Sequence, residues 1–317
     1  MRNDRIHVFY RGSQVLKNAS NSNYSKSPQK PRLFLRYLIK NGLGDNFRLV
    51  KNWHPFERDD FRIAHTDEYV DGFFNGESPF CTHNGLEWSP QFAESVRYTN
   101  ASLYNAIRYA CEDPGTITFS PTSGFHHARP EGGGGFCTFS GQVIASIKIF
   151  REKKLAGAYV DLDGHYGNSI EDSREFAPEI NSAVPEGCNI NPAGTHERYI
   201  KDLGSKLEAL EKKLVEGAVS YVVFCHGADS HEWDQLGSQC STDEWIRASE
   251  MVYNMIKRAG EKLQRPIPLT LALFGGYRDD DYESVLSLHA ADISKCLDIL
   301  CGQKTNYKPK VIKGKRT

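Results

Sequence analysis

Apolar residues along the chain fall into two alternating patterns. Short continuous runs, TITF (116–119), GAYV (157–160), YVVF (221–224) and LTLALF (269–274), have the length of buried strands. Helical patterns lie between them, as where Ile200, Leu203, Leu207, Leu210 and Leu214 line one face at three-and-four spacing. That alternation predicts a parallel α/β sheet. Upstream, Ile6 to Phe9 reads as a short first strand, 11–31 as a loop rich in Ser, Asn, Lys and Pro, and the stretch from about Arg32 as a helix. No internal repeat is visible. The tail KTNYKPKVIKGKRT (304–317) is basic without a clear period, which predicts a solvated extension or a weak contact to an anionic partner.

Each of the four runs ends in a polar or glycine-rich cluster: SPTSGFHHARPEGGGGFC, DLDGHYGN, CHGADSHEWDQLG and GGYRDDD. Ligands of open parallel sheets bind outside the carboxyl ends of the strands, so the four clusters are expected to converge on one rim and one site. Composition changes this picture little. With 39 Lys+Arg against 40 Asp+Glu in 317 residues the net charge is -1, and no global field draws the molecule to nucleic acid or an anionic membrane. No stretch approaches the roughly 18 apolar residues of a membrane span, and the polar opening lacks the apolar core of a secretory signal, so a cytoplasmic location is the expectation. The eight cysteines form no CxxC pair and read as free thiols.

Asp161, Asp163 and His165 form a D-x-D-x-H string in which Asp163 and His165, two apart in an extended segment, point to one side and can share an ion. A strand-end turn with solvated carboxylates is the plainer alternative. Asp229 supplies a further carboxylate at the same rim, and an Asp, His, Asp set suits zinc with positions left for water and substrate. His226 and His231 flank it and compete for the role. His226 reads as a structural residue at the strand end, and His231 as exposed or lying behind the ligands. The adjacent His126 and His127 are either ordinary surface or the base and acid that amide hydrolysis needs. Tyr277, behind Gly275 and Gly276, is either packed on the rim or a hydroxyl donor to an oxyanion.

Together, GFHHARPEGGGGFC, VDLDGHYGN, GADSHEWDQLG and FGGY resemble, in order and rough separation, the strings of the histone deacetylase superfamily, which includes acetoin-utilisation and acetylpolyamine enzymes. SPQKPRLFLRYL is similar to the family's Pro-rich entry into its first helix, and RIAHTDEYVDGF to its His-x-x-Glu-Tyr segment. The resemblance spans nearly the whole chain. It implies a single 1–317 domain of the three-layer αβα arginase/deacetylase type with a central, mainly parallel eight-stranded sheet, its 304–317 tail basic and flexible. It also implies a deacetylase acting on an acylated amine, acetyl-lysine for preference. One zinc would be held by Asp163, His165 and Asp229, with His126 and His127 as the acid-base pair and Tyr277 polarising the acyl carbonyl. Asp161 would orient His126 and line a structural potassium site. Gly135, Phe136, Leu236, Gly275 and Gly276 would line the substrate path.

Departures from the family pattern bear on substrate more than on chemistry. Asn168 stands where many relatives have Asp, so His127 lacks a fully negative partner and its proton affinity should be lower. Tyr166 replaces a second His, and Phe274 a frequent Glu. Glu87 matches the rim acid of peptide-cutting relatives only loosely. Leu236 stands where polyamine-specialised relatives carry an acid, which favours an apolar-stemmed amine over acetylspermidine. An acetylpolyamine or small-amide hydrolase of the same fold, and a catalytically inactive binding module, remain as alternatives. A two-manganese ureohydrolase expects another carboxylate where this chain has Gly167. Partners beyond the acylated substrate are not expected at a membrane, and a nucleic-acid contact is expected only from the tail. The natural substrate, acyl length and oligomeric state do not follow from the residues.

Overall fold

The structure is a computed structural model that describes residues 5–16 and 25–314; part of the 11–31 loop and the last three residues of the tail lie outside them. Among the described residues, seven strands form one sheet: β1 (Ile6–Phe9), β2 (Phe47–Val50), β3 (Ile117–Ser120), β4 (Gly157–Leu162), β5 (Asn189–Ile190), β6 (Tyr221–His226) and β7 (Leu269–Leu273). Their order is β2-β1-β3-β7-β6-β4-β5. Every pairing is parallel. The four apolar runs are thus β3, β4, β6 and β7. They are buried along their whole length, as strands covered on both faces must be. The eighth strand is not found among the described residues. That number came from the resemblance alone, and here the sheet stops at the two-residue edge strand β5.

Among the described residues, seven helices of eight residues or more flank the sheet: α1 (Lys30–Lys40), α2 (Asp67–Asn75), α3 (Pro90–Glu112), α4 (Gly141–Lys153), α5 (Glu197–Val215), α6 (Thr242–Leu263) and α7 (Tyr282–Cys296). The pair α3 and α4 packs together, and α1, α7, α6 and α5 pack in series, giving the α/β/α layering. The starts are written locally. Ser89 accepts the Phe92 N–H with Pro90 at the first turn of α3, and Ser241 with Glu244 forms a capping box on α6. The Ile200-to-Leu214 stripe is the buried face of α5. None of the eight cysteines is in a disulfide. No helix among the described residues is long and apolar enough to cross a membrane.

The tail departs from expectation. Over 304–314 it runs along α7 without regular secondary structure, with the Tyr307 hydroxyl 2.8 Å from that of Tyr37 and 2.9 Å from Ser287 Oγ. The Lys310 and Ile312 N–H groups donate to Ser287 and Ser284 at 2.7 and 3.0 Å. A period of two, covered then exposed, runs through it and was hidden by lysines on the outward positions.

Candidate active site

Strands β4, β6 and β7 are neighbours, so the segments that follow them meet at one rim. Asp161 is the fifth residue of β4, Asp163 and His165 lie just beyond its end, and Asp229 sits in the turn Ala228–Ser230 after β6. One ligand atom each from Asp163, His165 and Asp229 lies within 4.8 Å of the others, with both carboxylates buried and the imidazole half-buried. His165 Nδ1 is 3.0 Å from Asp163 Oδ1 and 3.0 Å from Asp229 Oδ2. Hydrogen bonds to Asp163 and Asp229 hold its pKa up at about 10. Burial and the charge of Asp163 push the Asp229 carboxyl up, whereas His126 and His165 hold Asp163 down against burial.

The donor set fits a divalent cation of the zinc type. Two buried carboxylates and one imidazole converge on a point, and Asp229 Oδ1, fully buried, has no protein hydrogen-bond partner. The backbone is shaped for the close approach. The Gly275 N–H donates to Asp163 Oδ2 at 2.8 Å, and a Cβ on Gly275 would stand 2.1 Å from Asp229 Cγ, so only glycine fits. Gly276, at φ +134°, then turns the chain toward Tyr277.

His126 and His127 leave the loop after β3 with ring centroids 4.0 Å apart, in different settings. His126 is buried, with Nδ1 2.9 Å from Asp161 Oδ2 and Nε2 3.7 Å from Asp163 Oδ1. Burial lowers its pKa, but Asp163 and Asp161 outweigh that and raise it to about 9. His127 Nδ1 bonds Asn168 Oδ1 at 2.9 Å. Burial, then the charge on His126, lowers its pKa to about 4. Asp161 also accepts the Asp163 N–H at 3.1 Å. These contacts give the potassium ion expected beside it no support.

Tyr277 lines the same small cleft as His126, Asp163, Gly135, Phe136 and Gly275. Its ring is 5.5 Å from that of Phe136 and 6.3 Å from that of His165, and burial pushes its phenol well above the ordinary value. Leu236 is 41% exposed and Tyr166 61% exposed. Glu87 is exposed. His226 is structural as expected, stacked on Trp245 at 3.8 Å and 11°. His231 is not exposed: at 1% it is buried, bonded to Thr242 Oγ1 at 2.8 Å and accepting the Trp233 N–H at 3.1 Å.

Two residues passed over in the sequence reach the site. Lys30 of α1 is buried at 1% and donates to the Phe274 and Gly275 carbonyls at 2.5 and 3.2 Å, its ammonium lowered to about 8 by burial against the pull of Asp229 and Asp163. Asp234 accepts the Tyr277 N–H at 2.8 Å and the Leu236 N–H at 3.0 Å, tying the loop after β6 to the loop after β7. Each partner is distant in sequence or a backbone group, so neither residue type nor spacing announces it.

An all-parallel sheet with an Asp, His, Asp cluster at its carboxyl rim defines an α/β protein with a candidate cation site. The family follows from comparison: a model described as "Histone deacetylase domain" matches residues 24–183, and the chain belongs to the histone deacetylase family. "Histone deacetylase 8" of Xenopus tropicalis is 25% identical over 166 residues, 49% of this chain and 44% of that protein. "Histone deacetylase B" of Dictyostelium discoideum is 24% identical over 265 residues, 68% of this chain and 60% of that protein. The match thus spans less than half the length of the frog relative. A solved structure titled "Crystal Structure of HDA15 HD domain" superposes with a TM-score of 0.68 over 98% of this chain and 91% of its own, at 16% identity, and supports the fold.

Proposed function

We propose that the chain, acting as a single domain over residues 1–317, is a zinc-dependent deacetylase that hydrolyses the amide of an acylated amine, with acetyl-lysine the favoured type. The observation that carries this reading is the approach of His126, His127 and Tyr277 to the cluster of Asp163, His165 and Asp229. Asp163, His165 and Asp229 would hold the zinc, which when bound supplies Lewis acidity toward the acyl oxygen and lowers the pKa of water. The remaining work falls to the chain's own side chains. With Nδ1–H donating to the Asn168 amide oxygen, the His127 ring keeps its Nε2 lone pair free to take a proton from water. His126, clamped by Asp161, keeps positive charge beside the reacting acyl group and is the nearer store of a proton for the leaving amine. The Tyr277 hydroxyl donates to the acyl oxygen as negative charge grows there. Phe136 in the cleft, and the exposed Leu236 of the loop after β6 if substrate reaches it, offer an apolar surface that suits a methylene stem and gives no compensation to a second ammonium.

Turnover of an acetyl-lysine fluorogenic peptide, with one zinc per chain by metal analysis and inhibition by a hydroxamate chelator, tests the reading. No turnover across acetyl-lysine peptides, acetylpolyamines and small amides by zinc-loaded protein overturns it in favour of a binding module. Two manganese ions per chain overturn it in favour of a ureohydrolase.

A further inference from the structure

The 304–314 segment ends beside the two loops that pin Tyr277. The Ile312 carbonyl accepts from Arg278 Nη1, and the Lys313 ammonium stands 5.7 Å from the centre of the Trp233 ring. A Cβ on Gly314 would lie 3.0 Å from the Trp233 carbonyl oxygen and 3.5 Å from Arg278 Nη2. Trp233 directly precedes Asp234, whose carboxylate accepts the Tyr277 N–H, and Arg278 directly follows Tyr277. Arg278 is 3% exposed, and its guanidinium is engaged on three sides: Nε and Nη2 donate to the two oxygens of Asp280 at 3.0 and 2.9 Å, and Nη1 to the tail. A buried guanidinium deprived of one partner either rearranges or bears the cost of an unmet donor, and Tyr277 moves with it.

We infer that residues 305–314 are a strap that holds Tyr277 in register through Arg278, which makes Arg278 a positioning residue for the deacetylation proposed above. The strap is anchored away from the chemistry at Tyr307 on Tyr37 and Ser287, is held again at Ile312 by Ser284, and from Ile312 onward meets Arg278 and Trp233. Such an arrangement fixes the loop after β7 without placing any tail residue against substrate. Oxyanion donors lose their effect steeply with misplacement, which is why a rigid backing is needed there. The inference rests on the deacetylase reading for its catalytic half and on geometry alone for its mechanical half.

The test uses the full chain, zinc-loaded, as wild type, Arg278→Gln, Arg278→Lys, Tyr307→Phe and Tyr277→Phe. Hydrogen exchange of the peptide covering 274–281 should rise about tenfold in Arg278→Gln and about threefold in Tyr307→Phe, with β7 itself unchanged. The kcat of Arg278→Gln should fall about tenfold with KM within about twofold, and Arg278→Lys should recover part of both changes. Combined with Tyr277→Phe, Arg278→Gln should cost nothing more, because it acts through that phenol. Unchanged exchange in Arg278→Gln and Tyr307→Phe overturns the strap, and a kcat loss that adds fully to that of Tyr277→Phe overturns the positioning role. Should Arg278→Gln fail to fold, Tyr307→Phe, which removes only a remote hydroxyl, decides by exchange. If wild type turns over no amide, the exchange arm still decides the strap, and the failure lies with the deacetylase reading.

Discussion

Residues 24–183, which the family model matches, and the remainder of the chain contribute to the candidate site in different ways. The first region supplies whole strings: His126 with His127, and Asp161 through Asn168, residues adjacent in the chain that stay adjacent in space. The second supplies single groups, Asp229 and Tyr277, brought in by β6 and β7 from 64 and 112 positions beyond His165. A string announces itself locally, whereas a lone Asp or Tyr is ordinary until a sheet places it. The difference teaches that family likeness can be concentrated in one region while the chemistry is divided between both.

The sharpest way to break that comparison is to remove one carboxylate from each region. Asp163→Ala and Asp229→Ala should lose zinc and activity alike, since each would take away one of the three ligands proposed for it. Zinc retained at wild-type stoichiometry in Asp229→Ala, by metal analysis, would return the whole metal site to the first region. Tyr277→Phe should keep zinc and lower kcat by about a hundredfold or more, the scale of one lost oxyanion donor. His127→Ala should be comparably severe. An unchanged rate in steady-state assays of Tyr277→Phe would reduce that residue to a wall.

A third prediction concerns scaffold rather than chemistry. His65 donates from Nδ1 to the Arg129 carbonyl and accepts the Ser140 N–H on Nε2, both at 2.8 Å, so its neutral ring is fully satisfied where an imidazolium would not be. Burial, against the pull of those carbonyls, lowers its pKa to about 3. A histidine lowered on folding is stabilising above its unfolded pKa of about 6.5, and that stability is lost as pH falls toward 3, because the unfolded chain binds the extra proton. By pH 4.5 the loss should reach roughly 2–3 kcal/mol. Urea midpoints measured across pH 4.5 to 7 should show this slope in wild type and lose that part of it in His65→Gln. The smallest effect is expected at the rim. Leu236→Glu should shift the ratio of kcat/KM for N8-acetylspermidine over an acetyl-lysine peptide by about tenfold toward the polyamine, one charge interaction in partly exposed surroundings. A wild type that already prefers the polyamine would defeat this assignment.

Much of this architecture was legible because β3, β4, β6 and β7 are apolar runs closed by polar clusters, a pattern that buried parallel strands require. The convergence of Asp163, His165 and Asp229 was legible for the same reason. Lys30 was not, because a lysine beneath a glycine turn looks in one dimension like a lysine in water, and its acceptors lie 244 and 245 residues away. Asp234 was passed over beside Leu236 because its partners are backbone N–H groups, which carry no residue identity. The docking of the tail depends on serine hydroxyls of α7 that no periodicity of the tail itself reveals.

The position of β7 has a consequence for how the molecule comes into being. It is the last strand to be synthesised yet lies between β3 and β6, so the nascent chain holds two open sheet edges that cannot join until residues 269–273 emerge. Long-range parallel pairing of this kind is slow and leaves apolar edges available to neighbours. Chaperone demand should therefore peak late in synthesis, and a ribosome stalled before residue 269 should display an aggregation-prone intermediate rather than a smaller folded protein.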